Sequence, residues 1–135
     1  MLLDMSILTG KFLVNKLQES SEIANSIGDR IYPIVIPNGS VYPFIVYDDS
    51  GQGGDETKDG PASDNVLCTV TVVAKTYNEA VTLGQAARKA VEGKTACYED
   101  FDVNECVITT WVKGYDDQLP AFTISLNFEI KTTNF

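Results

Sequence analysis

NVLCTVTVVAKTYNEAVTLGQAARKAVEG, residues Asn65 to Gly93, decides the fold. Its first part, Val66 to Ala74, is an apolar run of valine and threonine, residues that fit a pleated surface better than a helix. This predicts a central strand. After Lys75 the period changes from two to about 3.6, with Ala80, Leu83, Ala87, Ala90 and Val91 lining one helix face. Thr76 is placed as N-cap, Glu79 three residues on completes a capping box, and Gly93 is the stop. Gly84 interrupts this helix at a cost of about 1 kcal/mol relative to alanine. The stripe is mostly alanine, so the helix can lie close against a sheet that the rest of the chain supplies.

At 135 residues the chain makes a single domain, residues 1–135, large enough for one real core. No apolar run approaches the roughly eighteen residues of a membrane helix, and Leu3 is followed by Asp4 rather than by a cleavable leader. The expected setting is the cytosol. Formal charge is −9 with no histidine. That balance disfavours a nucleic-acid grip, which requires clustered Lys and Arg. Cys68, Cys97 and Cys106 lack zinc-site spacing and a histidine partner, so they read as small hydrophobes in strands. A Cys97–Cys106 bridge requires the two to face each other across a hairpin.

Upstream, Ile7, Val14 and Leu17, with Leu3 before them and Gly10 and Leu13 between, keep a helical spacing from Ser6 to about Glu19. Leu8 and Phe12 widen that stripe, which either fills a groove of its own fold or meets a neighbouring subunit. Ser20 and Ser21 cap a short turn from Glu22 to Ile27, ended by Gly28. In Gly28 to Ser50, the prolines 33, 37 and 43 confine the chain to an edge. Ile31 to Ile36 and Phe44 to Tyr47 are expected as an edge hairpin about Asn38-Gly39, or as a strand preceded by an arm.

Asp48 to Asp64 holds no apolar residue larger than alanine and reads as a flexible acidic loop. Asp48, Ser50, Gln52, Gly53 and Asp59 match calcium-loop offsets, but too few are carboxylates and no helix flanks them. Lys94 to Phe101 is expected as a short strand or connector. Asn104 to Tyr115 reads as a strand with two semi-apolar faces, expected to be buried on both sides over part of its length. Phe122, Ile124, Leu126, Phe128 and Ile130 alternate with polar residues in a last strand with a single core face. The tail from Thr132 is expected to be loose. The fold class is α+β: a mainly antiparallel sheet of four to five strands with two helices on one face.

No catalytic set is visible. Without histidine, Ser and Cys lose their usual activator, and Gly51, Gly53 and Gly54 precede no helix that could cradle phosphate. Asp48–Asp49 and Asp116–Asp117 read as turn formers. No catalytic residue, cofactor or metal ligand is assigned.

Three segments carry a resemblance: GDRIYPIVIPNGSVYPFIVYDDSG from Gly28, AKTYNEAVTLGQAARKAVEG from Ala74, and GYDDQLPAFTISLNFEIK from Gly114. Together they resemble the small tail-completion proteins of long-tailed bacteriophages, also called tail-terminator or head-tail joining proteins. The resemblance spans Leu3 to Lys131 and is most specific at Gly28–Pro33, Pro43–Tyr47 and Tyr77–Ala80. It implies a structural, non-enzymatic virion neck protein, from a phage or a prophage, assembled in the host cytoplasm. It implies a homo-oligomeric ring, commonly a hexamer, that caps the tail tube, meets the head connector and lets DNA pass unbound. On that reading Leu8, Phe12, Arg30, Ile31, Tyr32, Phe44, Tyr47 and the outer face of the last hairpin are interface candidates. Asp48, Asp49, Asp55, Glu56 and Asp59 are candidates for the lumen or a docking loop. Arg30 is either a donor across subunits or a local ion pair. The alternative is an adaptor that binds a basic partner through the acidic loop, with affinity falling steeply with salt.

Overall fold

The computed structural model describes residues 9–53, 62–99 and 101–134. In chain order the elements are α1 (Thr9–Glu19), α2 (Ser21–Ser26), β1 (Ile31–Pro33), β2 (Phe44–Gly53), β3 (Ala62–Ala74), α3 (Tyr77–Val91), β4 (Ala96–Cys97), β5 (Phe101–Asp116) and β6 (Ala121–Asn134). The class is α+β as expected, but with six strands and three helices among the described residues, in the sheet order β1-β2-β3-β6-β5-β4. The short pieces β1, β4 and α2 account for the difference.

The β3–α3 unit follows the local signals. Thr76 Oγ1 accepts the Glu79 backbone N–H at 3.2 Å, and Gly93 closes the helix with a left-handed φ of +77°. The same logic starts α2, where Ser20 accepts the Ile23 backbone N–H, and stops it at Gly28, φ +63°. Ala80, Leu83, Ala87, Ala90 and Val91 are all buried. Gly84 has a packing reason: a Cβ there would lie 2.9 Å from Ile124 Cγ2. The helix can therefore sit directly on β6.

β3 pairs along its whole length with β6 and over much of it with β2. Because strand side chains alternate, these registers sort the residues into two faces. Val66, Cys68, Val70 and Val72 join Ile124, Leu126, Phe128 and Ile130 beneath the helices, where Phe12, Leu13, Leu17, Ile23 and Leu83 complete the core. The opposite face carries a polar array in which Thr69 donates to Asn127, Asn127 donates to Thr110, and Thr71 and Ser125 share a bond. At one end of that face, Phe44, Val73 and Ala121 form a smaller apolar cluster with Tyr32, Tyr42 and Leu119.

Four expectations are corrected. β1 and β2 are not a hairpin: Ile31 pairs with Ile45 and Pro33 with Tyr47 in parallel, and the Asn38–Gly39 turn belongs to the connection. The expected loop Asp48–Asp64 is strand at both ends. β2 runs to Gly53 and β3 begins at Ala62, because ladder hydrogen bonds come from the backbone and do not need apolar side chains. The bulge between Asp48 and Gly51 absorbs the irregular sequence. β5 is not buried on both faces: Trp111 and Val112 are 53% and 57% exposed, since α3 packs over β3 and β6. The tail is held, with Thr132 buried and β6 continuing to Asn134.

The cysteines divide. Cys97 is exposed and paired with Asp102, away from Cys106, and all three thiols are free. Burial, with Glu92 adding to it, pushes the Cys106 thiol up to about 12. Burial, then Asp49, also pushes Cys68 upward, and Tyr47 is raised by the same two causes.

Leu126→Ala, which empties a 3% exposed core position, is expected to cost about 2–5 kcal/mol in chemical denaturation. Gly84→Ala gains about 1 kcal/mol of helix propensity. It loses about 1–3 kcal/mol to overpacking against stiff, β-branched Ile124. The net effect is a lower melting temperature, abolished in an Ile124→Ala background. Native Cys106 keeps its proton above the ordinary thiol value of 9.0 up to about 12, so the unfolded chain releases protons first. Stability therefore declines as pH rises from 9.0 toward 12. Cys106→Ala is expected to flatten that decline in denaturation midpoints measured across the range.

Candidate oligomer interface

Most of the expected contact residues serve their own chain. Phe12 is 0% exposed, inside the core of its own chain. Leu8 lies outside the described residues. Ile31 and Phe44 are buried, and Tyr32 packs at 5.9 Å on Phe44. Tyr47 is half-buried against α1, where a Cβ on Gly10 would meet its ring at 2.9 Å. Arg30 is engaged by backbone carbonyls. Its guanidinium donates to the Ser26 carbonyl at 2.8 Å and to the Pro43 carbonyl at 3.1 Å, bracing the end of α2 against the start of β2. Asp49 accepts from Thr9 Oγ1 at 2.9 Å and ties α1 to β2. Asp48 is exposed on β2. Asp55, Glu56 and Asp59 lie outside the described residues.

Apart from Leu67 and Val107, the exposed large apolar side chains lie elsewhere, at two places. One is the connection between β1 and β2, where Ile34, Val35 and Val41 are 61%, 70% and 62% exposed. Ile34 has a φ of +62°, a left-handed conformation that a β-branched side chain rarely adopts. Its backbone N–H donates to the Tyr47 carbonyl at 2.8 Å, which holds that conformation. Around it, Ser40 bonds the Pro37 carbonyl, Tyr42 bonds the Leu119 carbonyl, and Lys75 sits 4.4 Å above the Tyr42 ring. The tip is thus built on a fixed base.

The second place is the distal half of β5. β4 pairs only with Asp102 and Val103, so among the described residues no strand pairs with the outer edge of β5, the edge away from β6, from Glu105 to Asp116. On the helix side Trp111 and Lys113 face α3 across a groove of about 180 Å³ floored by Gly84, Ile124 and Leu126. The Lys113 ammonium donates to the Tyr77 hydroxyl at 3.0 Å and lies 5.6 Å from the Trp111 ring centroid. Tyr77 and Tyr115 both pack edge-on against Phe122. A tryptophan, two tyrosines and a cation in one patch match the composition that carries binding energy at protein interfaces.

The sequence offered one overlooked signal for these places. No charged residue occurs from Ile31 to Tyr47, and Lys113 is the only one from Cys106 to Tyr115. In so acidic a chain, such intervals mark surfaces on which like charge has been kept away.

The arrangement can bury shape and apolar surface. Among the described residues no cluster of three or more His, Cys, Asp or Glu side chains could hold a metal ion. No described helix is long and apolar enough to cross a membrane.

A search of curated proteins found no match. Among solved structures, a chain described as "Virion of native gene transfer agent (GTA) particle" has a similar fold, with a TM-score of 0.74 over 90% of this chain and 92% of that one, at 12% identity. The family model described as Tail completion protein gp17 matches residues 11–133, nearly the whole of α1 through β6. The chain accordingly belongs to the tail-completion family, structural proteins of phage tails.

Proposed function

We infer that this protein completes a tail by closing the end of the tail tube as a ring of identical copies, and that the same ring receives the head connector. The observation that carries the reading is the family match over residues 11–133. The fold shared with a chain of a gene transfer agent virion agrees with a place in a particle. The physical features are compatible with it. A ring requires two different, mutually fitting surfaces on each copy, and the sheet ends in two unlike edges, one led by β1 and one by the overhanging half of β5.

The protein works without catalysis, by shape. The ring is hexameric, and its partners are further copies, the tube protein and the connector. Duplex DNA passes through it unbound, because a net charge of −9 repels phosphates rather than replacing their counterions. Asp48, Asp55, Glu56 and Asp59 are assigned to the passage or the axial docking surface. Asp49 is given instead to the Thr9 contact.

Electron microscopy of the purified protein, alone and mixed with tail tubes, tests this reading. Annular particles in solution, or rings seated on one end of each tube, are expected. Single subunits that neither self-associate nor bind tube ends would overturn it. Tube-end binding that disappears in moderate salt would point instead to an adaptor gripping a basic partner.

A further inference from the structure

We propose that the neutral tip formed by Ile34, Val35 and Val41 of one copy seats in the groove beside Trp111 and Lys113 of the next copy, and that this head-to-tail contact closes the ring. The proposal rests on the ring reading above and names the two surfaces that make it.

Position supports it first. The tip leaves the sheet at β1, and the groove lies beyond β6 on β5, toward the other end of the strand order. A contact between opposite ends of one sheet is heterologous, and repetition of it closes into a ring when the rotation allows. The tip's own construction supports it next. Ile34 is held in an unfavourable backbone conformation yet leaves its side chain 61% exposed. Strain of that kind persists where surrounding structure enforces it, and it concentrates at functional contacts.

Charge decides in favour of a second copy. Two chains of net charge −9 repel, so their contact surfaces must exclude carboxylates. The tip segment carries no charge, and the only charged residue of the facing β5 stretch is Lys113. Its ammonium rests against the neutral Tyr77 hydroxyl and the rings of Tyr77 and Trp111. The backbone carbonyls of an uncharged, proline-interrupted loop suit such a donor. Its branched aliphatic side chains suit a groove walled by an indole.

Native mass spectrometry and electron microscopy of the full chain, alone and on tail tubes, test the proposal with Val35→Glu and, separately, Trp111→Glu. Both positions are more than half exposed, and thermal melting checks that each variant folds. Each is expected to weaken self-association at least about tenfold. In a Cys97→Ser background, Val35→Cys copies mixed with Gln85→Cys copies, whose cysteine stands on the exposed α3 wall of the groove, should oxidise to mixed dimers in preference to like pairs. Wild-type rings that survive both glutamates, with no preferred mixed dimer, would overturn the proposal and leave the ring reading standing. Variants that still form rings but lose the tube end would assign the two surfaces to the tube protein and also overturn it. A wild type that stays monomeric in solution and on tubes would remove both.

Discussion

The fold depends on the double hydrogen-bond ladder of β3. Its backbone pairs with β6 from Ala62↔Asn134 to Ala74↔Phe122 and with β2 from Phe44↔Val73 to Gly53↔Asn65. With both neighbours fixed in register, parity sorts the β3 side chains from Val66 to Val72: even-numbered ones go under the helices and odd-numbered ones to the opposite face. A slip of one residue would turn Val70 and Leu126 outward and bring Thr69 and Asn127 into the core. The helix that follows β3 then lies close on β6 where Gly84, lacking a Cβ, meets Ile124.

What was legible in the sequence is what is decided locally. The strand-to-helix change at Thr76, its cap, the Gly93 stop and the alternation of β6 require only neighbours in the chain, and each stands where the residue pattern put it. What was not legible is decided by a distant partner. Nothing in SGQGG announces a strand, because the bonds that make β2 run to Gly53 come from β3. The parallel seating of Ile31–Pro33 beside Ile45–Tyr47 has the same origin. Which apolar side chains stay exposed was illegible for a related reason. Phe12, Ile31 and Phe44 are as apolar as Val35 and Trp111, and only the positions of the helices determine which group is covered.

A molecule of this design has two unlike ends and one engaged face. The polar array of Thr69, Thr71, Thr110, Ser125 and Asn127 spends its donors and acceptors on neighbouring strands. It leaves few unmet groups to hold a passing solute. The apolar exposure is concentrated instead where the sheet begins and where β5 runs on past its cover. Arg30 and the Thr9–Asp49 bond act behind these surfaces, fixing α1 and α2 to the first strands so that the tip stands on a rigid base.

The chain contains one tryptophan, and it stands half-exposed on the overhanging strand with a lysine nitrogen 5.6 Å from its ring centroid. Indole emission depends on the polarity and charge around the ring, so the molecule carries a built-in optical reporter at a spot its own fold leaves half open. Whatever comes to cover that strand must exclude water from the ring or move the ammonium, and the protein's ultraviolet fluorescence records it without any label.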